Sequence, residues 1–302
     1  MRIIFFCNPM DSHKVDMEYE FEYKIAKKLG LNIGLVNYEG LVSNFNPDAA
    51  VNNIISSIKN GNNEKAILRG WMLKPKLYEK LYLSLLKKNI KLLNTPEEYR
   101  NCHYIPYSYE FIKNYTPKTV WIEKEKVLSN IDTALDVIKD FNGKPVIVKD
   151  YVKSRKYDWE EACYIPNSSD AKKVKGVVNR FLELQGEDLN GGIAFREFVD
   201  LEFLTKHSKS NLPLSKEFRL FFVNKELIQV IHYWDEGDYG ELEPDLNKFT
   251  NIAQNIKSNF FTMDIAKEVN GNWIILELGD GQVSWLPKTV NVYEFYKNLI
   301  EI

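Results

Sequence analysis

The residues of this 302-residue chain that could do chemistry are charged side chains set inside or at the ends of apolar runs. Lys149 directly follows Val146-Ile147-Val148, and Lys153, Ser154, Arg155 and Lys156 come soon after. A strand-end lysine followed by a basic loop suits an anionic ligand such as a triphosphate, although any one of these residues alone reads as solvated loop. Glu217 and Arg219 open the run Glu217-Phe218-Arg219-Leu220-Phe221-Phe222-Val223. A two-residue period puts both on one face of a strand, where a cross-strand ion pair and a site-facing role are both open. Asp264 follows Phe260-Phe261-Thr262-Met263, and Glu277 follows Trp273-Ile274-Ile275-Leu276. Carboxylates on such strands are costly unless neutralised. Hard oxygen ligands on a rigid sheet are what Mg²⁺ takes, with nucleotide phosphates supplying further oxygens. Asp280, within Gly279-Asp280-Gly281, also has a plain reading as a turn former. The run from Phe195 through Glu197, Val199 and Glu202 reads as a surface hairpin, or as a strand offering backbone to a purine edge and a carboxylate to ribose hydroxyls.

Other chemistries leave no trace. There is no glycine-rich phosphate loop, no GxSxG elbow and no HExxH. Cys7, Cys102 and Cys163 are scattered and form no CxxC pair, which supports neither a disulfide framework nor a cysteine zinc site. His13, His103, His207 and His232 are equally dispersed.

The elements that must position these residues fall into two textures. Up to about residue 100, strands at Ile3–Phe6, Asn32–Tyr38, Ala66–Leu68 and Ile90–Leu93 alternate with helical patterns at Glu18–Leu29, Ala49–Ile58 and Leu77–Lys88. That alternation predicts a small parallel sheet with ligands at the carboxyl ends of its strands, where Arg69 falls. Beyond residue 101, strands are expected at Lys118–Ile122, Pro145–Lys149, Ala194–Val199, Glu217–Val223, Leu227–Trp234, Phe261–Val269 and Trp273–Leu278. Helices are expected at Tyr107–Tyr115, Ser129–Asp140, Asp170–Leu184 and Leu246–Ser258, and the Asn-Gly turns suggest antiparallel sheets.

Composition bounds the answer from outside. Forty Lys+Arg against 42 Asp+Glu give a formal charge of −2, which makes nucleic acid or an acidic membrane an unexpected partner. With 44% hydrophobic and 27% charged residues the chain can build a real core. The start of the sequence carries too short an apolar run for a signal peptide, and no run reaches the ~18–20 residues of a membrane span, so a cytoplasmic location is expected.

In this order the motifs resemble the ATP-grasp superfamily and, within it, the R2K clade, family 3. Glu277-Leu-Gly-Asp-Gly-Gln-Val-Ser284, ending near Leu286-Pro287, carries most of the likeness, with support from Arg69-Gly70-Trp71-Met72-Leu73 and Lys149 to Ser154. The resemblance implies an α/β (α+β) ATP-grasp fold: a parallel pre-ATP-grasp domain over 1–105, then an ATP-grasp domain over 106–302. The latter would divide into a lid subdomain at about 118–196 and a C-terminal subdomain at about 197–302. It implies ATP and Mg²⁺ as cofactors. Lys149 would bind the phosphates and Lys153 would close over them. Glu197 and Val199 would hold adenine, Glu202 the ribose, and Arg219 the transferred phosphoryl group. Asp264 and Glu277 would ligate Mg²⁺, and Arg69 would face the second substrate. The family pattern places Asn two residues after the metal-binding Glu, where this chain has Gly279, with Asp280 as the candidate to supply that oxygen.

The resemblance implies a carboxylate–amine ligase working through an acylphosphate, with small-molecule or peptide carboxylates and amines as partners. A different class stays open beside it: a nucleotide-binding module that assembles proteins without turnover, which the 13% aromatic content keeps in view. Covalent nucleotidyl transfer is disfavoured, because Lys149-Asp150-Tyr151-Val152 does not match KxDG.

Overall fold

β1 (Arg2–Asn8) is the apolar run at the start of the chain, buried on both faces, as a central parallel strand requires. In the computed structural model, which describes residues 1–43, 46–57, 62–287 and 289–301, it turns back through the short hairpin strand β2 (Asp11–Val15) into α1 (Glu20–Lys28). β3 (Asn32–Val36), α2 (Tyr38–Val42), α3 (Pro47–Ala50), β4 (Glu64–Arg69), α4 (Pro75–Leu86) and β5 (Ile90–Leu92) follow. β1 pairs in parallel with β3 and β4, and β4 with β5. The helix expected over 49–58 is the single turn of α3, with Asn46 capping Ala49 N; Ile58 lies outside the described residues. Thr95 and Glu98 form a capping box that starts α5 (Pro96–His103), and α6 (Ile105–Ile112) leads away from it.

The second sheet is antiparallel, in the order β6 (Thr119–Glu123), β9 (Gly192–Glu197), β7 (Val146–Asp150), β8 (Tyr164–Ile165). Its helices are α7 (Lys124–Ser129), α8 (Thr133–Ile138) and α9 (Ala171–Gln185). The single helix expected over 129–140 is broken because Asn130 leaves helical geometry and its side chain accepts from Asp132 N at 2.9 Å.

The third sheet, also antiparallel, has the order β13 (Glu226–His232), β12 (Glu217–Val223), β14 (Phe260–Lys267), β15 (Trp273–Asp280). A small hairpin of β10 (Phe203–Lys206) and β11 (Pro213–Ser215) precedes it. Phe218, Leu220 and Phe222 point into a core that includes Phe249 of α10 (Leu246–Ala253), Met263 and Ile275. Alternation turns Glu217 and Arg219 to the other face, the one that carries Phe221 and Val223. Phe221 and Val223 enter a core shared with Phe5, Ile67 and Phe295, the last from α11 (Val292–Glu301), so the first and third sheets have one apolar core in common. Among the described residues no helix is long and apolar enough to cross a membrane.

Candidate active site

The register of the third sheet builds the site. Arg219 on β12 lies opposite Asp264 on β14, which in turn lies opposite Glu277 on β15. The guanidinium grips Asp264 in a fork, Nε donating to Oδ1 and Nη2 to Oδ2, each at 2.7 Å. Its remaining arm donates to Trp285 O at 3.2 Å, and its plane sits 4.7 Å from the Tyr233 ring centroid. The second sheet contributes Lys149, whose Nζ comes to 3.6 Å from Glu277 Oε1. Lys149 is buried, whereas 41% of the Glu277 side chain is exposed, so the carboxylate lies deep in a cleft that water still reaches.

Lys149, Glu277, Asp264 and Arg219 therefore form one line of charge across two sheets, with two carboxylates side by side between two cations. Burial pulls the Lys149 ammonium below the ordinary lysine range, and Glu277 offsets part of that. For Glu277 burial pushes upward, but Lys149, Arg196 and Lys156 outweigh it and hold the carboxyl below its usual range. Burial raises Asp264, and the fork of Arg219 opposes the rise. Burial also raises Glu217, against which Lys156 acts.

Three further residues face this line, of which the sequence pattern points only to Lys156. Arg196 on β9 donates to Thr119 Oγ1 at 3.2 Å and to Leu276 O. Lys156 is open to the cleft; desolvation lowers its ammonium, but the fields of Glu217, Tyr233, Glu277 and Asp264 leave it raised. Burial drives the His103 imidazole down to about 4, with Glu277 opposing. Lys156 was visible as part of the basic run. Arg196 and His103 matter only through partners distant in sequence.

Two expected site residues are engaged elsewhere in the structure. Arg69 does end its parallel strand, but its side chain is wholly buried. Nε and Nη2 donate to both Glu22 oxygens at 2.8 and 3.0 Å, while Nη1 donates to the carbonyls of Gly281, Gln282 and Ser284. No N–H is aimed at a second substrate; the residue is a strut between the first sheet and the loop after β15. Asp280 is turned from the Asp264/Glu277 pair by the same alternation that brings Glu277 into the cleft. It accepts from Asn94 Nδ2 at 2.5 Å, from Gln282 N at 2.9 Å and from Gln282 Nε2 at 3.2 Å, and burial pushes its carboxyl up to about 7.

The remaining expected residues lie on the turn after β7, at the end of β9 and in the segment that follows it. Lys153 is exposed on the turn after β7, where Asp150 Oδ1 accepts from the backbone of Val152 and Lys153. That carboxylate shapes the turn without glycine. Glu197 ends β9 and accepts from Lys144 Nζ at 2.6 Å. Val199 is half-buried just beyond it. Glu202 is held by Lys216 at 2.8 Å and Lys267 at 3.1 Å.

Two carboxylates on neighbouring strands suit Mg²⁺, which is usually held by one or two protein carboxylates with phosphate and water oxygens completing its shell. A side chain at position 279 would be crowded: a Cβ on Gly279 would stand 2.7 Å from Thr262 Oγ1, which is hydrogen-bonded to Ser284 Oγ at 3.0 Å. Among the described residues no group of three or more His, Cys, Asp or Glu gathers to hold a metal. On the far side of Arg219 lies a cleft of about 330 Å³ walled by Tyr233, Trp234 and Trp285, with Asp235 and Glu236 in its lining.

The family model of the ATP-grasp domain, R2K clade family 3, matches residues 140–299, just over half of the chain. Among solved structures, D-cycloserine synthetase DcsG aligns over 100% of this chain and 99% of its own, with 12% identity and a TM-score of 0.60. D-alanine–D-alanine ligase from Bacillus anthracis, complexed with ATP, aligns over 100% and 96%, with 13% identity and a TM-score of 0.55. The ATP-grasp ligase PsnB, complexed with minimal precursor, Mg and ADP, aligns over 99% and 97%, with 11% identity and a TM-score of 0.54. At such identities the likeness is one of fold. No curated protein matches the chain in sequence.

Proposed function

The chain belongs to the R2K clade of ATP-grasp domains, family 3, and from that premise we propose that it is an ATP- and Mg²⁺-dependent ligase joining a carboxylate to an amine through an acylphosphate. The observation that carries this reading is the convergence of Lys149, Glu277, Asp264 and Arg219 on one cleft. Four cations, Lys149, Lys156, Arg196 and Arg219, face three carboxylates, Glu217, Asp264 and Glu277, an excess that favours a polyphosphate.

In the proposed reaction a substrate carboxylate oxygen attacks the γ-phosphorus in line, the bond to the β-phosphate oxygen breaks, and ADP leaves. The amine then adds to the acyl carbon, loses its proton, and expels phosphate as the amide forms. Transfer of this kind depends on positioning and charge neutralisation, with no covalent step required of the protein. Lys149, with Lys153 on the turn above, neutralises phosphate oxygens. Arg219, at the boundary between the carboxylate line and the aromatic cleft, holds the oxygen-rich group in transit. Asp264 and Glu277 would hold Mg²⁺, which supplies further charge neutralisation at the phosphates. Glu197, Val199 and Glu202, at the end of β9 and in the segment after it, would hold the nucleoside. The aromatic cleft beside Arg219 is of a size for a small carboxylate or a peptide end.

Incubation with ATP, Mg²⁺ and pools of amino acids or peptides tests the reading. Substrate-dependent release of ADP and phosphate is expected. Tight nucleotide binding with no turnover in any pool would point instead to the protein-binding module.

A further inference from the structure

His103, the last residue of α5, has an imidazole whose two nitrogens are both shut away from solvent with no hydrogen-bond partner in the protein. Such a group is costly unless something pairs with it. The ring is well fixed. It stacks on Tyr99 with centroids 5.3 Å apart, and Tyr99 stacks on Tyr78 at 4.0 Å and donates from its hydroxyl to Leu73 O at 2.8 Å. His103 is thus carried rigidly by the N-terminal unit.

The imidazole borders a cavity of about 10 Å³ whose polar lining comes from Ser108, Tyr109, Arg196 and Glu277. That volume is about the size of one water. The Tyr109 hydroxyl accepts from Thr119 N at 3.1 Å, which leaves its proton to donate. Arg196 commits Nε and Nη1 to Thr119 and Leu276, with Nη2 still to donate. Glu277 can only accept when ionised, and a neutral imidazole offers one donor and one acceptor.

We propose that a single water bound in this cavity joins His103 to Glu277, and that His103 thereby orients the carboxylate that would hold Mg²⁺. The water accepts from Tyr109 or Arg196 and donates one proton to Glu277 and the other to an imidazole nitrogen. His103 is a positioning residue, acting through Glu277, and the inference rests on the reading of Glu277 as a metal ligand. Outer-sphere partners of this kind are commonly worth about 10- to 100-fold in metal affinity.

The test is Mn²⁺ binding to the full chain with saturating ADP, followed by electron paramagnetic resonance. His103→Phe keeps the stack on Tyr99 and removes both nitrogens; it is expected to weaken Mn²⁺ about tenfold or more, with metal-free ADP affinity unchanged. His103→Gln, which keeps a polar end, is expected to recover most of that loss. Unchanged Mn²⁺ affinity in His103→Phe, or equal losses in both variants, overturns the inference. In the unsubstituted protein the imidazole ¹⁵N resonances of His103 should move when Mg²⁺ is added to the ADP complex, and resonances that stay still overturn it without any variant. Glu277→Gln separates the two levels. If it too binds Mn²⁺ normally, the metal reading fails along with this one; if only Glu277→Gln weakens binding, His103 alone has been misread.

Discussion

Lys149 Nζ stands 3.6 Å from Glu277 Oε1, and this contact, with that of Arg196 to Leu276 O beside it, ties the second sheet to the third where the charges of both converge. Each residue holds the other's charge in a cleft that would otherwise disfavour it. On the proposed function, a bound triphosphate would take over the lysine and a cation the carboxylate.

Replacing either member should therefore cost ligand binding more than folding. Lys149→Ala and Glu277→Ala are each expected to weaken MgATP binding by roughly 10- to 150-fold, the range of about 1.5–3 kcal/mol for a charge-assisted contact. Calorimetric titration with a non-hydrolysable ATP analogue, alongside circular dichroism, measures this. Native affinity in both variants would remove the site from this cleft.

Arg69→Ala should behave in the opposite way. The substitution leaves Glu22 buried with only the Tyr296 hydroxyl, which donates to it at 2.7 Å, and takes the arginine donor from the carbonyls of Gly281 and Ser284, while Gln282 O keeps Gly70 N at 3.4 Å. Breaking a buried pair of this kind costs about 3–5 kcal/mol. The urea midpoint should fall accordingly, while KM for ATP, measured at a temperature where the variant is folded, stays near the parent value. A selective loss of second-substrate affinity with unchanged stability would restore a recognition role to Arg69.

Gly279→Asn probes the departure from the family pattern. The new Cβ would press on Thr262 Oγ1, and overpacking of this sort costs about 1–3 kcal/mol. No gain in Mn²⁺ affinity is expected from the single change. Adding Thr262→Ala should recover the lost melting temperature, and a tighter metal site in the single variant would show that the crowding is easily relieved.

Asp280 gives the pH dependence. Its folded pKa is raised to about 7 from 3.8, so between those values the folded chain holds a proton that the unfolded chain has released. Stability from this group is complete below about pH 4 and is lost as pH rises through 7. The melting temperature is expected to fall by several degrees between pH 5 and 8, and Asp280→Asn should flatten that slope. A slope unchanged in the variant would assign it to other groups.

What was legible in the sequence was what local periodicity encodes. Glu217–Val223 has the expected bounds, and its alternation did place Glu217 and Arg219 together on one face. The apolar runs of β1, β4 and β7 were equally plain. Asp11–Val15 was missed because an exposed, polar hairpin strand has no apolar pattern to show. α5 is short and mostly polar, so periodicity does not mark it; its start is written instead in the capping box of Thr95 and Glu98. Where Arg69 and Asp280 are engaged was not legible for a different reason. A charge at a strand end looks the same whether it meets a ligand or a buried partner, and Glu22 and Asn94, which decide the matter, lie far off in sequence.

The strut at Arg69 and the side chain of Asn94, which also reaches Phe260 O at 2.7 Å, bear on how such chains can diversify. Recombination could not trade the first hundred residues for a stranger's as a loose cassette. An incoming segment would need an arginine backed by a glutamate, and an asparagine at the matching height, or the recipient's last loop would be left with carbonyls facing nothing. New substrates would then be reached by altering rims and surface loops while the two halves descend together.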